Sequence, residues 1–265
     1  MKHRLAVLAC VGALGLLAGC GSAATPAGSA GSTPASSTAA GSQTLTVFAA
    51  ASLKGTFTTL GQQFETAHPG TKVSFSFGGS ADLVTQLQQG APGDVFASAD
   101  TKNMDKATAD HLVRGTPVNF ATNTLEIAVP PGNPAKITSF ADLAKPAVKV
   151  VVCAPEVPCG AATQMVEAAT KVQLKPVSEE NAVTDVLGKV QSGEADAGLV
   201  YVTDVKGAAG KVAGVTFPEA SKAVNTYPIA ALAASKNADV ADQFVTLVTG
   251  PDGQQVLAAA GFAKP

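Results

Sequence analysis

Two serines occupy matching places in this sequence. Ser52 follows the apolar run Thr44–Ala49 (TLTVFA) and precedes Leu53, Phe57, Leu60 and Phe64, which recur at helical spacing. Ser80 follows the alternating Val73, Phe75 and Phe77, crosses the Gly78-Gly79 turn and precedes Leu83 and Leu87. The order strand, turn, serine, helix reads as an N-cap in both cases. It also sets a hydroxyl and backbone N–H groups at the positive end of a helix dipole, where an anion is held without any cationic side chain. One such serine ordinarily does no more than cap its helix. Two of them facing a common cleft would make an oxyanion site.

Other reactive residues are sparse. Histidine occurs only at His3, His68 and His111, and arginine only at Arg4 and Arg114. Bidentate guanidinium clamps on phosphate or carboxylate are therefore nearly excluded. Lys54 and Arg114 read as residues of solvated faces, and Asp94 and Asp100 in GDVFASAD as cap and turn residues. Two tyrosines, Tyr201 and Tyr227, are too few for an iron receptor built on hard ligands. No GxSxG, HExxH or Cys–His constellation appears, so the chain reads as a binder and not an enzyme, with a secreted hydrolase as the distant alternative. Eighteen Lys+Arg against 20 Asp+Glu leave a net charge of −2, without the basic footprint of a nucleic-acid binder.

The N-terminal segment reads as an address. Lys2, His3 and Arg4 precede an uncharged run from Leu5 to Ala18, too short to span a bilayer but suited to a secretory h-region. Its end, Leu17-Ala18-Gly19-Cys20, resembles the bacterial lipobox, which implies cleavage after residue 19 and a lipid on Cys20. Losing Lys2 and Arg4 moves the formal charge from −2 to −4. Residues 21–42 contain only Gly, Ser, Ala, Thr and Pro, a composition that stays a flexible tether. Cys153 and Cys159 then remain as an isolated pair in an exported protein. That compartment and their six-residue spacing favour a disulfide over a metal pair or a nucleophilic Cys159.

The rest, residues 43–265, alternates strand and helix, which predicts parallel sheets with ligands at strand C-termini. Asp94–Ala97, Val148–Cys153 and Ala197–Val202 read as further strands, and Leu125–Val129 and Pro228–Ala234 as apolar runs. Ser139–Ala144, Gly160–Val172, Asn181–Val190, Val240–Val248 and Gln254–Ala260 read as helices, with Val183, Val186, Leu187 and Val190 on one face. The expected organisation is a signal peptide 1–19, a lipidated Cys20 and tether 20–42, and two α/β lobes. Residues 43–124 plus 227–265 form lobe 1 and residues 125–226 form lobe 2, with a ligand cleft between them.

Five segments, VFAAASL (Val47–Leu53), FGGSADL (Phe77–Leu83), GAPGDVFASAD (Gly90–Asp100), PEVPCG (Pro155–Gly160) and GLVYVTD (Gly198–Asp204), fall in this order before GPDGQQVLAAAGF (Gly250–Phe262). Together they resemble the periplasmic molybdate-binding proteins of ABC importers across nearly all of residues 44–265. The resemblance implies the type II periplasmic-binding-protein fold. It also implies five positions that hold a tetrahedral oxyanion, molybdate or tungstate, by neutral hydrogen bonds. These are the hydroxyls of Ser52, Ser80 and Tyr201 and the backbone N–H groups of Cys159 and Val183. At Cys159 the family usually has Ala, which leaves the backbone donor intact but bears on the loop's shape. Glu179 and Glu180, just before Val183, must point away from a dianion. The partners implied are an ABC permease with its ATPase, and the membrane through the Cys20 lipid on the extracytoplasmic face. A monomer without further cofactor is expected, and a receptor for another tetrahedral oxyanion such as sulfate is the alternative.

Overall fold

The computed structural model describes residues 43–265; the expected signal peptide, Cys20 and the tether lie outside the described residues. The chain opens with β1 (Gln43–Ala50), α1 (Lys54–Ala67), β2 (Thr71–Gly78), α2 (Ser80–Gln88), β3 (Val95–Ala97), α3 (Thr101–Ala109) and β4 (Val118–Asn123). It continues through β5 (Leu125–Val129), β6 (Val150–Cys153), α4 (Pro158–Thr170), β7 (Ser178–Glu180), α5 (Val183–Gln191), β8 (Ala197–Tyr201), α6 (Val202–Gly207) and β9 (Ala213–Val215). It closes with β10 (Asn225–Ala231), α7 (Ala238–Thr249) and α8 (Pro251–Ala260).

The strands form two five-stranded sheets, β2-β1-β3-β10-β4 and β7-β6-β8-β5-β9. In the first, β1 runs parallel to β2 and β3, and β10 joins antiparallel to β3 and β4. In the second, β6 runs parallel to β7 and β8, and β5 lies antiparallel to β8 and β9. Parallel strands are covered on both faces, which is why β1, β6 and β8 read as continuous apolar runs. Leu45, Val47, Phe57, Phe64 and Phe244 pack in the core of the first sheet, and Val150, Leu199, Val186 and Val190 in that of the second.

Several elements were not foreseen. The helix α3, capped by Asp100, whose carboxylate accepts from Asn103 N at 2.9 Å, has too polar a sequence for an apolar periodicity to stand out. β4, α6 and the short β7 and β9 lie in segments to which the sequence pattern assigns no element of their own. Ser139–Ala144 is a single 3-10 turn, Phe140–Ala144, closed by a capping box between Ser139 and Asp142. Asp94 caps no helix: it accepts from Thr46 N at 2.7 Å and from Ser235 Oγ at 2.6 Å, pinning the two central strands of its sheet to the chain after β10.

Candidate functional site

The carboxyl ends of the parallel strands of both sheets converge on one small cavity. β1 delivers Ala50, Ala51 and Ser52, β2 delivers Gly78 to Ser80, and Ala99 follows β3. From the other sheet come Val157 to Cys159 after β6, Val183 after β7, and Tyr201 at the end of β8. The space they enclose is at most ≈ 190 Å³, below the roughly 300–1,000 Å³ of sites for organic ligands. None of these residues carries a charge.

Ser52, Ser80, Cys159, Val183 and Tyr201 are thus all brought together. Ser80 and Val183 each open their helix, α2 and α5, and Cys159 is the second residue of α4 behind Pro158. First-turn N–H groups have no acceptor inside their own helix, so three helix N-termini turn donors and positive dipole ends toward the same space. Pro158 suits its place because the first helical position needs no N–H.

Neither serine caps its helix, contrary to the N-cap expectation. Gly79 is the N-cap residue of α2, and Ser80 Oγ instead accepts from Ala99 N at 3.0 Å. That bond leaves the Ser80 hydroxyl proton free to donate. Ser52 lies within a 3-10 turn, Ala51–Leu53, and its Oγ is 3.0 Å from Tyr227 Oη. Tyr201 Oη is completely buried and has no hydrogen-bond partner among the described residues. The Tyr227 ring stands edge-on to it, centroids 6.1 Å apart. Burial foremost, then Tyr227, Asp100 and Asp204, holds the Tyr201 hydroxyl far above its ordinary pKa, so it stays a neutral donor.

Cys153 and Cys159 are joined by a disulfide with Cα atoms 5.6 Å apart, closing the loop before α4. The loop is tight: a Cβ on Gly160 would lie 1.9 Å from Ala154 O. Between the sheets a Cβ on Gly79 would meet Asn181 O, also at 1.9 Å. Asn225 of β10 binds both sides, its Nδ2 donating to Ala99 O at 2.9 Å and to Pro158 O at 3.5 Å.

Charged residues stand back from the cavity. Lys189 of α5 pairs with Glu180, Glu179 is exposed, Arg114 pairs with Asp242, and Lys54 is exposed at the start of α1. His68 stacks on Phe64 at 4.0 Å. Among the described residues no group of three or more His, Cys, Asp or Glu could hold a metal ion, and no helix is long and apolar enough to cross a membrane.

Sequence reasoning missed Gly79, Asn225, Tyr227 and Asp204. Asp204 sits in the GLVYVTD segment, where an acid beside a tyrosine gives no sign of burial. Its Oδ2 accepts from Tyr201 N at 2.9 Å, and burial pushes its pKa up to about 7 against that bond. The folded protein therefore binds a proton that the unfolded chain releases near pH 4, and stability falls as pH rises from about 4 to about 7. Asp204→Asn keeps an oxygen for Tyr201 N. It is expected to raise the melting temperature by several degrees at pH 8 and to change it little at pH 4, in calorimetric scans.

The chain matches the sequence profile of bacterial extracellular solute-binding proteins over residues 45–263. It is 53% identical over 249 residues to the molybdate-binding protein ModA of Mycobacterium tuberculosis, covering 94% of this chain and 93% of that relative. The solved periplasmic molybdate-binding protein of Azotobacter vinelandii superposes with a TM-score of 0.71 at 26% identity, over 83% of this chain and 99% of that one. The sulfate-binding protein SubI of Mycobacterium tuberculosis reaches the same TM-score at 21% identity, over 84% and 87%, which is a likeness of fold alone.

Proposed function

The chain belongs to the bacterial extracellular solute-binding proteins, and from that premise we propose that it captures molybdate outside the cytoplasm and delivers it to an ABC importer. The observation that carries this reading is the charge-free cavity into which three helix N-termini and the unpartnered Tyr201 hydroxyl converge. A dianion there satisfies every one of those donors. Charge-assisted hydrogen bonds contribute roughly 1.5–3 kcal/mol each, so five of them support micromolar or tighter binding after the cost of immobilising ion and protein. Ser52, Ser80 and Tyr201 donate through their hydroxyls, and Cys159 and Val183 through their backbone N–H groups. The sheets serve as two lobes that close on the ion, residues 43–124 plus 225–265 and residues 125–224; the boundary expected at 226/227 moves to Asn225 because β10 pairs with β4 from its first residue.

The same reading places a signal peptide at 1–19, a lipid anchor on Cys20, a monomeric receptor on the extracytoplasmic face of the membrane, and a permease and ATPase as partners. The Cys153–Cys159 bridge forms after export and shapes the loop that presents Cys159 N–H. Tungstate, with the same charge and tetrahedral form, is the second ligand.

Thermal scans with molybdate, tungstate, sulfate and phosphate test it. A ligand at a thousandfold excess over its Kd stabilises by about 4 kcal/mol. A shift with sulfate and none with molybdate would move the protein to the sulfate class; no shift with any oxyanion would sink the reading. By calorimetry, Ser52→Ala and Ser80→Ala are each expected to weaken molybdate about tenfold. Unchanged affinity in both removes them from the site.

A further inference from the structure

Tyr227 does not itself line the cavity, but stands behind its wall, with its hydroxyl 3.0 Å from Ser52 Oγ. We propose that Tyr227 is a positioning residue that donates its proton to Ser52 Oγ and so commits the Ser52 proton to the bound oxyanion. The inference rests on the oxyanion reading above.

Two hydroxyls that share one hydrogen bond have two arrangements. If Ser52 donates to Tyr227, the cavity faces lone pairs of Ser52, which repel an anion. If Tyr227 donates to Ser52, the cavity receives a proton. The surroundings select the second. Tyr227 is fully buried on β10, its ring fixed edge-on against Phe120 at 6.2 Å and Phe262 at 5.3 Å. Burial keeps its hydroxyl protonated, and Ser52 Oγ is the one hydrogen-bond partner of that hydroxyl among the described residues. The Asn123 side chain beside it donates to Thr203 Oγ1 at 2.8 Å and accepts from Thr124 N at 3.0 Å. Tyr201 Oη makes no bond to it.

This arrangement has a consequence for selectivity. Ser80 Oγ already accepts from Ala99 N, so with Ser52 oriented as well both serines present protons. A fully deprotonated tetrahedral dianion is satisfied by such a site. Hydrogen phosphate carries a proton of its own and needs an acceptor, and a buried donor left without one is costly.

A double-mutant cycle reads the coupling directly. Calorimetry with molybdate is run on the wild type, Tyr227→Phe, Ser52→Ala and the double variant. Tyr227→Phe is expected to weaken molybdate about five- to tenfold in the wild-type background and to add nothing once Ser52 is Ala. Competition by phosphate supplies the second readout: the preference for molybdate over phosphate narrows in Tyr227→Phe, whereas general loosening of the site lowers both affinities alike. A ligand-free melt reports whether each variant folds. Equal losses in both backgrounds, or an unchanged preference, overturn the proposal while leaving the receptor function standing. A wild type that binds no oxyanion overturns both.

Discussion

Tyr201→Phe is expected to make the ligand-free protein more stable and the receptor worse. In the wild type a fully buried phenol has no partner, and an unsatisfied buried polar group costs about 1–3 kcal/mol. Phenylalanine keeps the ring packed against Tyr227 and removes that cost, so the melting temperature of the empty protein rises by several degrees. With ligand the sign reverses. The hydroxyl, itself fully buried, donates to the anion, and its loss weakens molybdate about ten- to a hundredfold. Both effects shrink the ligand-induced shift in a melting scan, and titration calorimetry measures the second alone. An empty variant that melts lower than the wild type, or binds molybdate as tightly, would show that the hydroxyl finds its partner elsewhere.

Gly79→Ala is expected to do more damage still, by a different route. Gly79 has φ −63° and ψ 138°, an extended backbone open to any residue, so the first sheet and α2 accept alanine without strain. The obstacle lies across the cleft. The new methyl would stand 1.9 Å from the Asn181 carbonyl oxygen, and relief requires the segments to part by ~1 Å, a displacement of the scale that costs about a hundredfold where donors must meet a charge at fixed distance. The Asn181 segment leads into Val183 and Gly79 leads into Ser80, so the parting separates one donor from another. Affinity for molybdate is expected to fall a hundredfold or more while the ligand-free melt stays within a few degrees of the wild type. A Gly79→Ala protein with wild-type affinity refutes this account of closure.

How much of this was legible in the chain depends on what each residue's role requires. Ser52 and Ser80 could be found because strand, turn and helix periodicity puts both at strand C-termini, and the resemblance added Cys159, Val183 and Tyr201, which all line the cavity. The capping role was misread because a serine before a helix leaves the same trace whether it caps or bonds sideways. Only the arrival of Ala99 N and Tyr227 Oη decided it, and those residues are 19 and 175 positions away. Asp204 and Gly79 matter through burial and close approach, which are properties of the assembled sheets with no local pattern to betray them. The helix α3 escaped because its polar sequence carries no apolar stripe, and its cap, Asp100, had been read without the helix behind it.

The absence of lysine and arginine from the cavity wall also bears on unloading. A receptor that grips a dianion with counter-charges must strand buried cations when it lets go, and that penalty holds the door shut. Here the emptied cage is a set of dipoles and hydroxyls that water can meet without any charge left over. Ejection then becomes a matter of spacing alone: a transporter that spreads the two halves slightly loses several short bonds together and frees its cargo without having to supply a replacement ion.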